Sequence, residues 1–362
     1  MTTRNYNVDL AESGEKALRL IHDNRYNLII TDMRMDAVDG LSVLRAAKDR
    51  DKNTQVLIIT GHGNISSAVQ AIREGAYDYL TKPVNTSTFL LHVNKALYDQ
   101  DMDRQLQYQK RKIDEYHDML DRDLAFAKKI QASLIPESFS DSGFDFGICH
   151  IPMIRIGGDF GTIYKDTANN QIYLNILDVT GHGITAALVV NRICSEIGSL
   201  VRENRSPREI LFAINSFFCD ILGQTGMFLT MFSGRIDLNR MSFEYSGSAH
   251  PAGLHYCTQQ KQFVQLESEN VIIGFETMPL DHFRQRTVDV KSGDTLVLYT
   301  DGIIEAEDRE KNPYGLEKLK KALEHHRHKS AKEAAHLVVK EVKSYNKGEN
   351  KDDIMLMLLK LK

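Results

Sequence analysis

Residues 173–191 read YLNILDVTGHGITAALVVN, and the rest of the chain is organised around them. An apolar run, Tyr173, Leu174, Ile176 and Leu177, ends on Asp178. A tight glycine turn follows, Gly181-His182-Gly183, and then an Ala/Leu/Val-rich segment of helical character. A carboxylate at the tip of a buried strand loses several kcal/mol of hydration or shifts its pKa to stay neutral. A cation is the usual remedy, so further carboxylates in similar settings become informative. Asp159 follows Gly157-Gly158, which lets the backbone approach a ligand closely. Asp301 ends the run Thr295-Leu296-Val297-Leu298-Tyr299-Thr300 and precedes Gly302. Asp352, beside Asp353, opens a C-terminal strand. Carboxylates drawn together from such distant places need a compensating charge. Oxygen-only donor sets suit hard octahedral cations, Mg²⁺ or Mn²⁺, and no His/Cys cluster offers a zinc site. Two such ions about 4 Å apart activate water and stabilise in-line displacement at phosphorus.

The chain has 362 residues, enough for two or three domains that each bury a core. A net charge of −4 provides no global basic field to recruit nucleic acid or an anionic membrane. Cys149, Cys194, Cys219 and Cys257 are far apart and lack CxxC spacing, which suits a reduced compartment. No run approaches the roughly 18 apolar residues of a membrane span, and no signal-peptide core follows Met1-Thr2-Thr3-Arg4. The expected location is the cytoplasm.

Residues 1–95 alternate apolar strands with amphipathic helices, the rhythm of a parallel α/β sheet. Asn27–Asp32, Gln55–Thr60 and Tyr77–Pro83 read as short strands ending in polar residues. In an open parallel sheet the carboxyl ends of strands line the ligand crevice, so Asp32, Thr60 and Lys82 converge. Through DMRMDAVDG (32–40), ITGHG (59–63) and GAYDYLTKP (75–83) this part resembles response-regulator receiver domains, of flavodoxin-like fold. The resemblance implies that Asp32 is the phospho-acceptor for a sensor histidine kinase. It makes Lys82 the ion-pair partner on the phosphoryl group, and Thr60 and Tyr79 the switch pair. Residues 5–10 read as the receiver's second strand, so its first strand and the acidic pair that holds Mg²⁺ either lie upstream, the favoured reading, or are missing from a degenerate or incomplete receiver. Mg²⁺ binding in the receiver is expected only if that pair is present there. Asp36 stands where the family usually has Pro.

From about Asn94 to Ile135 the chain reads as a long charged helix without Gly or Pro, closed by Pro136. Leu106, Ile113, Leu120, Ala127 and Leu134 recur every seventh residue, with Met102, Gln109, Tyr116, Asp123 and Ile130 as the companion column. Heptads sustained in this way indicate a coiled-coil linker over 96–136 and a homodimer, weakened at Gln109 and Asp123 as suits a signalling element.

Over 137–362 strand runs mix with helix runs, the pattern of an α+β sandwich. Strands are predicted at Ile148–Ile154, Gln171–Leu177, Met227–Ile236, Ser242–Ser246, Thr295–Tyr299 and Ile354–Leu361. Ser206-Pro207-Arg208-Glu209 and Ser330-Ala331-Lys332-Glu333 signal helix starts as capping boxes. AFAKKIQASLIP (125–136), RIGGDF (155–160), LDVTGHGITAAL (177–188), SGSAHPAGL (246–254), SGDTLVLYTDGIIEAED (292–308) and KDDIMLML (351–358) occur in the order and spacing of a known family. They resemble the SpoIIE-like branch of metal-dependent, PPM-type protein Ser/Thr phosphatases. That resemblance implies two antiparallel sheets flanked by helices, with two Mn²⁺ or Mg²⁺ ions at one edge. Asp178 is then the bridging ligand, with the Val179 carbonyl beside it. Asp159 completes one ion's shell, and Asp301 and Asp352 hold the other, with Asp353 as runner-up to Asp352. The implied substrate is a phosphoserine or phosphothreonine on an anti-sigma-factor antagonist. Two departures from the family pattern stand out: Phe160-Gly161-Thr162-Ile163-Tyr164 replaces an aromatic-Tyr-Asp run, and Met355 replaces a Thr.

Other signals carry less. Gly157-Gly158-Asp159-Phe160 spells the diguanylate cyclase signature, but four residues arise easily by chance. His182 reads as shaping its turn and His250 as a turn residue near substrate. Glu324-His325-His326-Arg327-His328 ends a helix, where cations favour the dipole. Glu305 and Asp308 read equally as holders of outer-shell water or as exposed charges. The reading is a response regulator with phosphatase output; the rival is an inactive PPM-fold adaptor, which would have lost carboxylates.

Overall fold

The computed structural model describes residues 6–61, 65–153, 157–181, 184–223, 226–347 and 352–362. The chain divides into two compact units, Met1–Met119 and Leu120–Lys362. Among the described residues no helix is long and apolar enough to cross a membrane.

In the first unit the elements run α1 (Gly14–Asp23), β1 (Leu28–Asp32), α2 (Gly40–Arg50), β2 (Gln55–Thr60), α3 (Ile65–Arg73) and β3 (Asp78–Thr81). The strands pair in parallel in the order β1-β2-β3, with Leu28 opposite Gln55 and Leu57 opposite Asp78. Val43, Leu44 and Ala47 of α2 pack with Ile21, Val56 and Ile58 in the core of this unit. Residues 6–10 are not a strand: they are irregular, and Leu10 is 80% exposed. A strand needs a neighbour for its N–H and C=O groups. Among the described residues none lies beside these, and β1 is the last strand on its side of the sheet.

The long helix, α4, spans Thr86–Leu134 and so begins well before Asn94. No Gly or Pro interrupts residues 84–135, so the helix that follows β3 runs on without a break, and Pro136 disfavours helical backbone at Ile135. Gln100, buried, donates to the carbonyls of Asn27 at 3.0 Å and Asn53 at 2.6 Å. It ties α4 to the chain entering β1 and β2. In the heptad columns Leu106, Ile113, Leu120, Met102 and Tyr116 are exposed.

The second unit contains β4 (Phe139–Ser140), β5 (Phe144–Ile151), β6 (Asp159–Asp166), β7 (Gln171–Val179), α5 (Ile184–Arg202), α6 (Pro207–Leu222), β8 (Leu229–Asp237), β9 (Ser242–Ser248), β10 (Gly253–Cys257) and β11 (Gln262–Leu266). It continues through β12 (Arg286–Asp289), β13 (Thr295–Tyr299), α7 (Asp301–Ile304), α8 (Gly315–His325), α9 (Ala331–Tyr345) and β14 (Ile354–Leu361). One sheet has the order β11-β10-β13-β14-β5-β4 and the other β12-β9-β8-β7-β6, all pairings antiparallel.

Strand alternation sorts the side chains into layers. Ile172, Leu174 and Ile176 of β7 meet Met355, Met357 and Leu359 of β14 between the sheets. Tyr173, Leu177 and Val179 face outward under α5 and α6, and Leu356 and Leu358 face α7, α8 and α9. Both sheets are therefore covered on both faces, which is why β7 and β14 read as nearly unbroken apolar runs. Met355 belongs to this core, so its departure from Thr is a packing change. At the second capping box Ser330 Oγ accepts from the Glu333 amide at 3.2 Å, and at the first the Ser206 amide donates to Glu209 at 2.7 Å.

Several strand boundaries differ from those expected. β5 begins at Phe144, not Ile148, since Phe144, Phe146 and Ile148 share the inner face. β13 keeps its expected span, Thr295–Tyr299, and Asp301 is the first residue of α7 with Thr300 as its N-cap.

Candidate metal centre and receiver site

Asp159 and Asp178 are direct cross-strand partners on β6 and β7. By alternation Asp178 takes the side of Ile176, facing the space between the sheets at its open end. Asp159 stands beside it, 2% exposed, and its Oδ2 has no hydrogen-bond partner. Burial, then the Asp178 charge, hold its pKa well above the usual carboxylate range, opposed by a hydrogen bond from Thr300. Burial, then Asp301 and Asp352, push Asp178 up to about 7. Asp301 is raised by burial and by Asp352. Among the described residues no three acidic, His or Cys groups converge tightly enough to form a closed cage. Asp159, Asp178 and Asp301 are thus raised by burial and by the like charges beside them, as happens on a low-dielectric edge.

The backbone comes equally close. The Val179 amide donates to the Gly158 carbonyl at 3.3 Å. A Cβ at residue 158 would lie 2.4 Å from the Val179 carbonyl oxygen, so only glycine fits there. From α4, buried Gln131 donates to the Gly157 carbonyl at 2.7 Å. Sequence reasoning missed this contact; its one signal was the place of Gln131 inside AFAKKIQASLIP.

The two adjacent aspartates differ. Asp353 is buried, and its carboxylate accepts from the Met153 amide at 2.6 Å and, through its other oxygen, from the Asp159 amide at 3.4 Å. Asp352 is exposed and accepts from the Asp353 amide at 2.8 Å. Asp353 therefore ties separate segments together, while among the described residues Asp352 accepts only from its own neighbour's amide.

His250 lies in the bend that follows β9, and it is buried there, not at the surface. It is 4% exposed, its Nδ1 lies 2.9 Å from Thr230 Oγ1, and burial pushes its pKa down to about 3, which keeps the ring neutral. Thr230 is the cross-strand partner of Asp178, so the histidine braces that strand end. His182 lies outside the described residues. Asp308 accepts from the Glu310 and Asn312 amides at 2.8 and 2.9 Å, closing its own loop. His326 meets Glu341 at 2.7 Å.

In the first unit the ends of the three strands bring Asp32, Thr60 and Lys82 to one edge. Asp32 and Lys82 form an ion pair. Burial alone would raise Asp32, but bonds from Lys82 and from the Arg34 amide outweigh it, and its pKa lies below the usual value. Thr60 ends β2 and is buried, whereas Tyr79 lies one register step inside β3, opposite Ile58, and is 39% exposed. His62 and Gly63 of this motif lie outside the described residues.

The family profile of stage II sporulation protein E (SpoIIE) matches residues 168–362, more than half of the chain. The chain belongs to the SpoIIE family. A response-regulator receiver profile matches residues 1–94, so this SpoIIE-family chain joins a receiver domain to a PPM-type phosphatase domain. Phosphoserine phosphatase RsbU of Bacillus subtilis (strain 168) is 27% identical over 243 residues, covering 66% of this chain and 70% of that protein. Transcriptional regulatory protein GlrR of Escherichia coli (strain K12) is 35% identical over 97 residues, 27% of this chain. The chain spans only 22% of that regulator's length. The solved SiaA-PP2C domain of Pseudomonas aeruginosa shares the fold, with a TM-score of 0.59 at 18% identity, over 68% of this chain and 99% of that one. The SpoIIE match begins after Asp159, so the place of that residue rests on its pairing with Asp178.

Proposed function

We propose that the chain is a response regulator whose output is a Mn²⁺- or Mg²⁺-dependent protein-serine/threonine phosphatase. The observation that carries this reading is the buried, unpartnered Oδ2 of Asp159, set among Asp178, Asp301 and Asp352, each of like charge. An all-oxygen set in which Asp159, Asp178 and Asp301 are shifted upward fits hard divalent cations, which would relieve the repulsion. Asp178 would bridge two ions with the Val179 carbonyl beside it, Asp159 would complete one shell, and Asp301 and Asp352 the other. Asp352 is preferred to Asp353 because the oxygens of Asp353 already accept backbone amides. When bound, the cations supply an activated water and neutralise charge at phosphorus. The chain's own part is to hold the donors still: Gln131 on the Gly157 carbonyl, Asp353 on the Asp159 amide, and the His250–Thr230 pair behind Asp178. The inactive-adaptor reading loses weight because all four carboxylates are retained.

The substrate is a phosphoserine or phosphothreonine on a regulatory protein. The family resemblance makes that protein an anti-sigma-factor antagonist, and likeness to a phosphoserine phosphatase supports the residue type. Asp32 takes the phosphoryl group from a sensor histidine kinase, Lys82 pairs with it, and Thr60 and Tyr79 report the change. The direct test is hydrolysis of p-nitrophenyl phosphate: turnover requires added Mn²⁺, disappears on chelation and returns with fresh metal. Turnover indifferent to chelation sinks the reading.

The exposed heptad columns of α4 support a homodimer through the linker. Sedimentation is expected to give twice the chain mass of 41.1 kDa, and Ile113→Asp to halve it. A monomeric parent, or a variant that stays dimeric, counts against the seam.

A further inference from the structure

We infer that Phe275, with Phe228 beside it, is the docking point for an apolar side chain flanking the phosphoserine; this rests on the phosphatase reading above. Phe275 is 68% exposed, yet the fold holds it in place. Asn215, fully buried, accepts from the Gly274 amide at 3.0 Å and donates to the Glu276 carbonyl at 2.9 Å, so both neighbours of Phe275 are clamped by one amide side chain. Gly274 takes φ +92°, a turn in which a Cβ would sit 2.8 Å from the Phe218 ring. A buried polar group that satisfies both its donor and its acceptor on one loop fixes that loop's geometry. The aromatic ring is thus presented to solvent by a rigid mount, the arrangement of an interface anchor.

Its position is set by register. Ile273 exchanges backbone hydrogen bonds with Leu229, which is the cross-strand partner of Val179, next to Asp178. Phe228 exchanges bonds with Thr180, and its ring centroid lies 6.4 Å from that of Phe275. Two inter-strand spacings put the aromatic pair roughly 10 Å from the carboxylate edge. An extended peptide covers that distance in about three residues. The occupant is therefore a Leu-sized side chain two or three positions from the phosphoserine of the protein substrate. An apolar contact is the suitable grip here, because the two phenylalanine rings offer neither charge nor a hydrogen-bonding group.

The experiment compares two phosphoserine peptides of equal length and charge, one with Leu and one with Ser at positions two and three from the phosphoserine. The readout is the ratio of their kcat/KM values within each protein, with p-nitrophenyl phosphate turnover run in parallel. Wild type is expected to favour the Leu peptide about tenfold, Phe275→Ser to bring the ratio near one, and Phe275→Leu to keep most of the preference. A flat ratio in wild type, or a ratio unchanged in Phe275→Ser, overturns the docking site while leaving p-nitrophenyl phosphate turnover to support the phosphatase. Failure to hydrolyse all three compounds with Mn²⁺ removes both.

Discussion

Asp178→Asn and Asp301→Asn are each expected to lower kcat for p-nitrophenyl phosphate by about a thousandfold or more at saturating Mn²⁺, which corresponds to roughly 4 kcal/mol of transition-state stabilisation. An amide keeps the size of the side chain but removes the charge and one anionic oxygen. Asp178 loses most, since it stands between Asp159, its strand partner, and Asp301 and Asp352 across the edge. Asp308→Asn serves as the control: its carboxylate closes its own loop, and activity should change little. The neighbouring pair separates by a second measurement. Asp352→Asn should lose activity with its melting temperature kept. Asp353→Asn should lose both, because the amide keeps one accepting oxygen and turns its NH2 toward the other backbone donor, leaving that donor unpaired at about 1–3 kcal/mol. Full activity in Asp178→Asn or Asp301→Asn would remove the carboxylate edge from the chemistry.

The metal-free protein should become less stable as pH rises from about 4 through 7. Asp178 has a folded pKa near 7 against an ordinary value of 3.8, raised first by burial and then by Asp301 and Asp352. For a group raised in the folded state, stability is fully present below the unfolded value and is lost as pH climbs through the folded one. Asp159 and Asp301 shift in the same direction. With metal chelated at pH 8, Asp178→Asn is expected to melt about 5 °C above wild type, and at pH 4 within a degree or so of it. Saturating Mn²⁺ should reverse the order at pH 8, because only the wild type gains the full binding energy. Equal melting temperatures at both pH values in chelator would show that the carboxylates do not strain this fold.

Much of the site was legible because burial on both faces writes itself into sequence. β7, β13 and β14 are apolar runs, and an aspartate at or just beyond each tip is conspicuous. β6 was not read as a strand: Gly161 and Thr162 break its apolar pattern, and Thr162 is satisfied only by a buried partner across the pair, Asn175 at 3.1 Å. The separate work of Asp352 and Asp353 was invisible as composition, although the alternation of β14 could have sorted them. Met355 and Met357 face the other sheet, so Asp353 faces inward and Asp352 outward. Residues 6–10 carry strand-like composition, but propensity alone does not make a strand without a neighbour.

β14 has one more consequence. It is drawn from residues 354–361, yet it lies in the interior of its sheet, between β13 and β5, whose own residues begin at Phe144. The phosphatase unit cannot close that sheet until a segment some two hundred positions downstream of β5 has left the ribosome. Nascent chains therefore spend most of their synthesis with a greasy slot open, and chaperone capture during translation should concentrate on this half of the protein.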